Sequence, residues 1–249
     1  MAHPLYLVST PIGNLEDITM RALRILREVP LVLAEDTRHT RPLLDHFGIS
    51  VRCESYHDFN KERVGERYLA FLENEGPIAL VSDAGTPSLS DPGFNLARDA
   101  IARGIPVVPV PGASALLPAL VGSGLPTDAF YFGGFLPKKS AARLRLFRSL
   151  RGRRETQVFY VSPHQIDKVK GELVQALSGA RIVLARELTK KFEEFLRGTP
   201  EEIELHFRTH APKGEFVLLV QARDLEPDPG AAAGAPLPDD GPDEEWEDG

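Results

Sequence analysis

Four short apolar runs in the first half of the chain each break directly into a polar loop. They are "LYLVSTPIGN" (5–14), "LVLAEDTRHT" (31–40), "IALVSDAGTP" (78–87) and "PVVPVPGASAL" (106–116). Helical patterns lie between and around them. Residues 19–29 carry Met20, Leu23, Leu26 and Val29 at three-residue spacing, 39–48 close on Gly48, 61–76 close on a glycine, and 93–103 stop at Gly104. Strands that are apolar throughout, alternating with helices, are buried on both faces and predict a mostly parallel sheet with helices on each side. Open sheets of this kind bind ligands outside the carboxyl ends of their strands. The four loops are therefore expected to line one crevice.

A second set of elements follows "AFYFGGFLP" (129–137): "TQVFYVS" (156–162), a helix at 165–178, "RIVLARE" (181–187) and "GEFVLLVQAR" (214–223). With 249 residues and a break near 122–137, the expectation is two α/β domains, 1–122 and 123–223, with no internal repeat. The remainder, 224–249, holds ten acidic residues and no basic one among Pro, Gly and Ala, and is expected to be a disordered, solubilising acidic tail. The net charge of −7 thus conceals a body carrying 29 basic against 26 acidic residues, or +3. No apolar run nears the ~20 residues of a membrane helix, and the first residues carry no secretory signal. Cys53 is the only cysteine, which excludes an internal disulfide and a cysteine metal cluster and points to a reducing cytoplasm.

The loop in "LVSDAGTPSLSDPG" (80–93) carries two aspartates and no lysine, which makes it a poor phosphate cradle. No G-x-G-x-x-G, no P-loop and no H-E-x-x-H occurs, and no metal site is expected. Gly85 permits close backbone approach, while Pro11, Pro87 and Pro111 stiffen their loops and remove donors. Exposed carbonyls beside carboxylates suit a cationic ligand, such as a sulfonium bearing an amino-acid ammonium. Asp91 reads as a helix cap before Pro92 and Gly93. "PGASAL" approaches the nucleophile elbow but lacks its final glycine, so a serine hydrolase built on Ser114 with His39 or His57 is a weaker alternative. Lys138, Lys139, Arg143, Arg145, Arg148, Arg151, Arg153 and Arg154 form a basic run without an acid. Leu144, Phe147 and Leu150 within it recur every third residue, so one face can pack while the cations meet phosphate. The bland alternative is a solvated helix face.

Together "LYLVSTPIGNLEDIT", "AEDTRHT", "LVSDAGTPSLSDPG", "VPVPGASAL", "GLPTDAFYFGGFLP", "LARELTK" and "KGEFVLLV" resemble the tetrapyrrole methylase superfamily, the class III S-adenosylmethionine (SAM) methyltransferases. The similarity is to the branch acting on small-subunit ribosomal RNA, and it spans residues 5 to about 222. It implies two α/β domains with SAM in the cleft between them and a homodimer. It further implies 2′-O-methylation of a cytidine ribose in the decoding region of 16S rRNA, either free or in the assembled 30S subunit. By position it assigns SAM to Pro11, Ile12, Gly13, Asp83, Ala84, Gly85, Thr86, Pro87, Leu89, Ser114, Ala115, Glu187, Leu188, Gly214 and Glu215. One departure concerns "FYVSPHQ", where members often read "FYESPHR": Val161 replaces an acid and Gln165 a base.

A ribose hydroxyl needs help to lose its proton. Asp36, His57, Asp83 and Lys190 are the candidate bases, with Asp36 favoured. Lys190 would need a strongly lowered pKa. Glu35 and Asp36 are equally suited to capping the helix that follows. Arg38 and Arg186 join Lys138, Lys139, Arg143, Arg145 and Arg148 as candidate RNA contacts. The competing readings are carbon methylation of a tetrapyrrole precursor and a non-catalytic SAM- or RNA-binding ribosome factor.

Overall fold

A computed structural model of the chain describes residues 2–57, 61–89 and 93–228. The expected cap at Asp91 and the tail from 229 onward lie outside the described residues. The chain divides into two compact units, the first ending at Ala115 and the second beginning at Leu116.

In the first unit, β1 (Leu5–Val8), β2 (Leu31–Ala34), β3 (Arg52–Ser55), β4 (Ile78–Val81) and β5 (Val107–Val110) form one sheet. Its order is β3-β2-β4-β1-β5, and every pairing is parallel. Side chains alternate between the two faces, and both faces are covered. Leu5, Leu31, Leu33, Ile78 and Leu80 pack against Tyr68, Leu69 and Leu72 of α3 (Lys61–Asn74) and Leu96 and Ala100 of α4 (Gly93–Ala102). Val8, Val32, Ala34, Ala79 and Val81 pack against Ala22, Ile25 and Leu26 of α1 (Met20–Glu28) and Leu44 of α2 (Thr37–His46). Burial on both sides is why β2 and β4 contain no polar residue. All five strands run the same way, so every strand-to-helix loop emerges at the same edge.

In the second unit, β6 (Phe130–Phe135), β7 (Thr156–Val161), β8 (Arg181–Arg186), β9 (Glu194–Gly198) and β10 (Phe216–Gln221) form a mixed sheet ordered β6-β7-β10-β8-β9. Only β6 and β7 are parallel. One large core joins this sheet to α6 (Ser140–Ser149), α7 (Ile166–Leu177) and α8 (Pro200–Thr209).

The boundary falls seven residues earlier than the expected 122, because α5 (Leu116–Ser123) packs on β8, β9 and β10. The reason is local. Arg197 on β9 donates to the carbonyls of Gly122 and Ser123 at 2.6 and 3.1 Å and satisfies the helix end. Gly122 sits so close to Phe195 that a Cβ would lie 2.5 Å from the ring. The start of the expected break is thus a packed helix terminus. The first residues of the expected tail are engaged by the second unit. Leu225 packs on the second core, and the Glu226 carbonyl accepts a hydrogen bond from Arg151 at 2.9 Å.

One candidate RNA contact is displaced by the fold. Arg143 is 1% exposed and bonds Glu172 through two nitrogens at 2.7 and 2.8 Å. Its third nitrogen reaches the carbonyls of Pro137 and Lys138, and Ser140 also donates to Glu172. This arginine cannot meet phosphate. Removing one member of such a pair strands a buried charge at a cost of about 3–5 kcal/mol, while replacing both with apolar residues is far milder. Arg143→Met is therefore expected to lose about that much in urea unfolding, and Arg143→Met with Glu172→Met to recover most of it.

Candidate functional site

The carboxyl edge of the first sheet brings together the loops after β1, β2, β4 and β5. Thr10 and Gly85 exchange two backbone hydrogen bonds, at 2.9 and 3.0 Å. The Ser9 hydroxyl donates to Thr86 Oγ1 at 3.1 Å, and the Thr86 hydroxyl donates to the Ala113 carbonyl at 3.0 Å. These contacts pin the β1, β4 and β5 loops to one another. Two glycines make the approach possible. Gly85 has φ of +84°, a conformation L side chains rarely take, and a Cβ there would lie 3.3 Å from Ile12. A Cβ on Gly112 would lie 2.8 Å from that of Ser9.

Asp83 ties in the β2 loop. Its Oδ1 accepts the Asp36 N–H at 2.9 Å, and its Oδ2 lies 2.9 Å from His39 Nδ1. Asp36 itself caps α2, accepting from the Arg38 N–H at 2.8 Å. Its carboxylate is also gripped by the Arg38 guanidinium, with a shortest contact of 2.6 Å. The Arg38 side chain, then the Arg38 N–H, hold the Asp36 carboxyl down at about 2. A carboxylate so occupied is a weak proton acceptor at neutral pH. Asp36 is thus used as the helix cap, the alternative the sequence left open. Arg38 remains largely exposed beyond that pair. Ser114 is buried, Pro11, Ile12, Thr86 and Leu89 are half-buried, and Gly13, Asp83 and Ala84 are exposed. His57 follows the end of β3 and is half-buried. His39 is held by Asp83 through Nδ1, and no hydrogen bond joins it to Ser114.

A second cluster stands in the other unit, at the turn after β8. Glu187 and Thr189 take positive φ values of 49° and 66°, strained for residues with side chains. The Glu187 carboxylate accepts the Glu215 N–H at 2.9 Å and the Lys190 ammonium at 3.1 Å. Lys190 also donates to Glu215 at 2.8 Å. Gly214 permits this, since a Cβ there would lie 2.6 Å from the Glu187 carboxyl. Burial opposes the charge on Lys190, but the Glu215 and Glu187 carboxylates outweigh it and leave its pKa raised. The neutral lysine base requires the opposite shift, so that role does not fit this geometry. Leu188 is buried beside the cluster.

Of the basic run, Lys138, Lys139, Arg145, Arg148 and Arg154 are exposed. Arg151 is spent on the Ala176 and Glu226 carbonyls. Arg186 donates to the Lys213 carbonyl at 2.5 Å and pairs with Glu194 at 3.3 Å, leaving little for a phosphate. Val161 is a core residue, which explains why it needs no charged partner, and Gln165 donates to the Pro137 carbonyl at 3.3 Å.

Sequence reasoning missed the pairing of His39 with Asp83. The signal was a histidine in the first turn of a helix that starts where a parallel strand ends.

Known proteins share this pattern. The family "Tetrapyrrole (Corrin/Porphyrin) Methylases" matches residues 4–204. The ribosomal RNA small subunit methyltransferase I of Halalkalibacterium halodurans is 47% identical over 225 residues, covering 90% of this chain and 78% of the relative. That of Pseudomonas aeruginosa is 46% identical over 240 residues, covering 93% and 84%. A solved uroporphyrin-III C-methyl transferase from Thermus thermophilus, complexed with S-adenyl homocysteine, shares the fold. It has a TM-score of 0.55 and 19% identity over 87% of this chain and 96% of that one. The chain belongs to the tetrapyrrole (corrin/porphyrin) methylase family of SAM-dependent methyltransferases, in its ribosomal RNA small subunit methyltransferase I branch.

Proposed function

We propose that this methyltransferase transfers a methyl group from SAM to the ribose 2′-oxygen of a cytidine in the decoding region of small-subunit rRNA. The observation that carries the cofactor half is the chemistry of the first unit's carboxyl edge. It offers carboxylates, carbonyls and hydroxyls, with no lysine or arginine between Ile78 and Leu89. Gly85 and Gly112 there let the loops close on Ile12 and Ser9 and so fix the acceptor groups in place. That donor set fits a sulfonium and an ammonium and would repel a polyphosphate. The substrate half is supported by relatives 46–47% identical named for rRNA methylation and by the exposed cations around α6. Homodimerisation, a cytoplasmic location and the 30S subunit as substrate belong to the same reading and rest on the resemblance alone. Among the described residues no helix is long and apolar enough to cross a membrane.

SAM, when bound, supplies a methyl group already activated for displacement. The protein's share is alignment and exclusion of water. The Ser9–Thr86–Ala113 chain and the Thr10–Gly85 bridge hold the loops rigid. Ile12 and Pro87 add apolar wall to the acceptor groups. The exposed Lys138, Lys139, Arg145 and Arg148 would bear on phosphate and so contribute affinity without sequence preference.

Incubation with radiolabelled SAM and either 30S subunits or a porphyrinoid precursor tests the reading. Label is expected in the RNA; label in the porphyrinoid alone would establish the tetrapyrrole reaction instead, and label in neither would leave a binding factor. Gly85→Ala carries a left-handed penalty of about 1–2 kcal/mol and meets Ile12. It is expected to weaken S-adenosylhomocysteine binding by about tenfold in calorimetry. Arg145→Gln with Arg148→Gln is expected to lower the slope of log affinity against log salt by about 1.5, with cofactor binding unchanged.

A further inference from the structure

The pairing of His39 with Asp83 has the build of a base with its orienting carboxylate. His39 stands in the first turn of α2, at the carboxyl end of β2. Its Nδ1 lies 2.9 Å from Asp83 Oδ2, while the other oxygen of Asp83 accepts the Asp36 N–H at 2.9 Å. The carboxylate is therefore fixed through both oxygens, one to backbone and one to the ring. An ionised carboxylate only accepts, so Nδ1 carries the hydrogen of the neutral ring and Nε2 carries the lone pair. The His39 side chain is 66% exposed, which leaves that face of the ring open to a substrate. Two of the other candidates are occupied: Asp36 by Arg38, and Lys190 by two carboxylates.

We propose that His39 is the general base for the methyl transfer and that Asp83 is its positioning residue. The inference rests on the reading that the acceptor is a ribose hydroxyl. In the step, the bond between the 2′-oxygen and the methyl carbon forms as the carbon–sulfur bond breaks. The electron pair of the broken bond stays on sulfur, leaving a neutral thioether. The hydroxyl proton goes to His39 Nε2, and the imidazolium returns it to solvent. A base fixed by a third group is the arrangement that hydroxyl activation uses elsewhere.

The charges facing His39 set its pH behaviour. Asp83, across from the β4 loop, favours the protonated ring most strongly; Asp36 adds to this, while slight burial and Arg38 oppose it, and the net shift is upward. The neutral ring is the active form, so turnover is expected to fall as pH drops through that raised value. Without the Asp83 charge the ring's pKa falls, so the acid limb moves to lower pH while the maximal rate also drops because the ring is no longer oriented.

The test uses the full chain with SAM and 30S subunits as substrate. His39→Gln is expected to bind S-adenosylhomocysteine like wild type and to lose about 10²- to 10⁴-fold in kcat. In the cofactor-free protein, the His39 ring resonance should titrate by NMR above its ordinary value, and in Asp83→Asn both this titration and the acid limb of kcat should shift downward together. A His39→Gln enzyme turning over within about threefold of wild type, with its acid limb in place, would overturn the assignment. So would a wild-type acid limb that does not track the His39 resonance, which a mere loop latch would produce. Wild type that leaves rRNA unmethylated would sink the functional reading and this role with it, whereas active wild type beside an unaffected His39→Gln sinks only the role.

Discussion

The Asp83 carboxylate holds two strand ends in register where neither could hold itself. One oxygen fixes the backbone at Asp36, the other fixes the His39 ring. Around it the remaining loops lock through the Thr10–Gly85 bridge and the hydroxyl chain from Ser9 to Ala113. These bonds are short-range, and they are useful only because the strands beneath are immobile. A parallel sheet buried on both faces provides that base: Leu33, Leu80 and Leu5 fill one side, and Val32, Ala79 and Val8 the other. Packing fixes the strand ends, the strand ends fix the loops, and the loops fix the polar groups that a substrate meets.

Much of this architecture was legible because burial on both faces leaves a plain mark in sequence. β1, β2 and β4 are apolar runs of four residues inside the sheet, and each was visible together with its loop; β5, at an edge, was visible because its residues are apolar all the same. β3 and β9 were not. "RCES" and "EFLRG" lie on sheet edges, each pairing with one neighbour only, so no two-sided apolar run is imposed on them. The capping box that opens α8, Thr199 with Glu202, was readable but followed no run that announced a strand.

Charge was harder to read than hydrophobicity. Three-residue spacing put Arg143 on the outer face of its helix, yet 3.6-residue turns align it with Phe147 and Leu150, and its partner Glu172 is 29 positions away. Asp36 and Lys190 were plausible bases by residue type. Their neighbours decided otherwise, since Arg38 occupies one and the Glu187–Glu215 pair holds the charge on the other. The same logic exposes His39, whose partner Asp83 lies 44 residues along the chain. A site residue's type is written in the sequence; its protonation is written by whatever the fold sets beside it.

The most direct measurement is mass-spectrometric mapping of ribose methylation across the small-subunit rRNA of cells with and without this protein. The account predicts one cytidine in the decoding region whose 2′-O-methyl group disappears with the protein and returns with the wild-type chain. An rRNA methylation map identical in the two strains would contradict it.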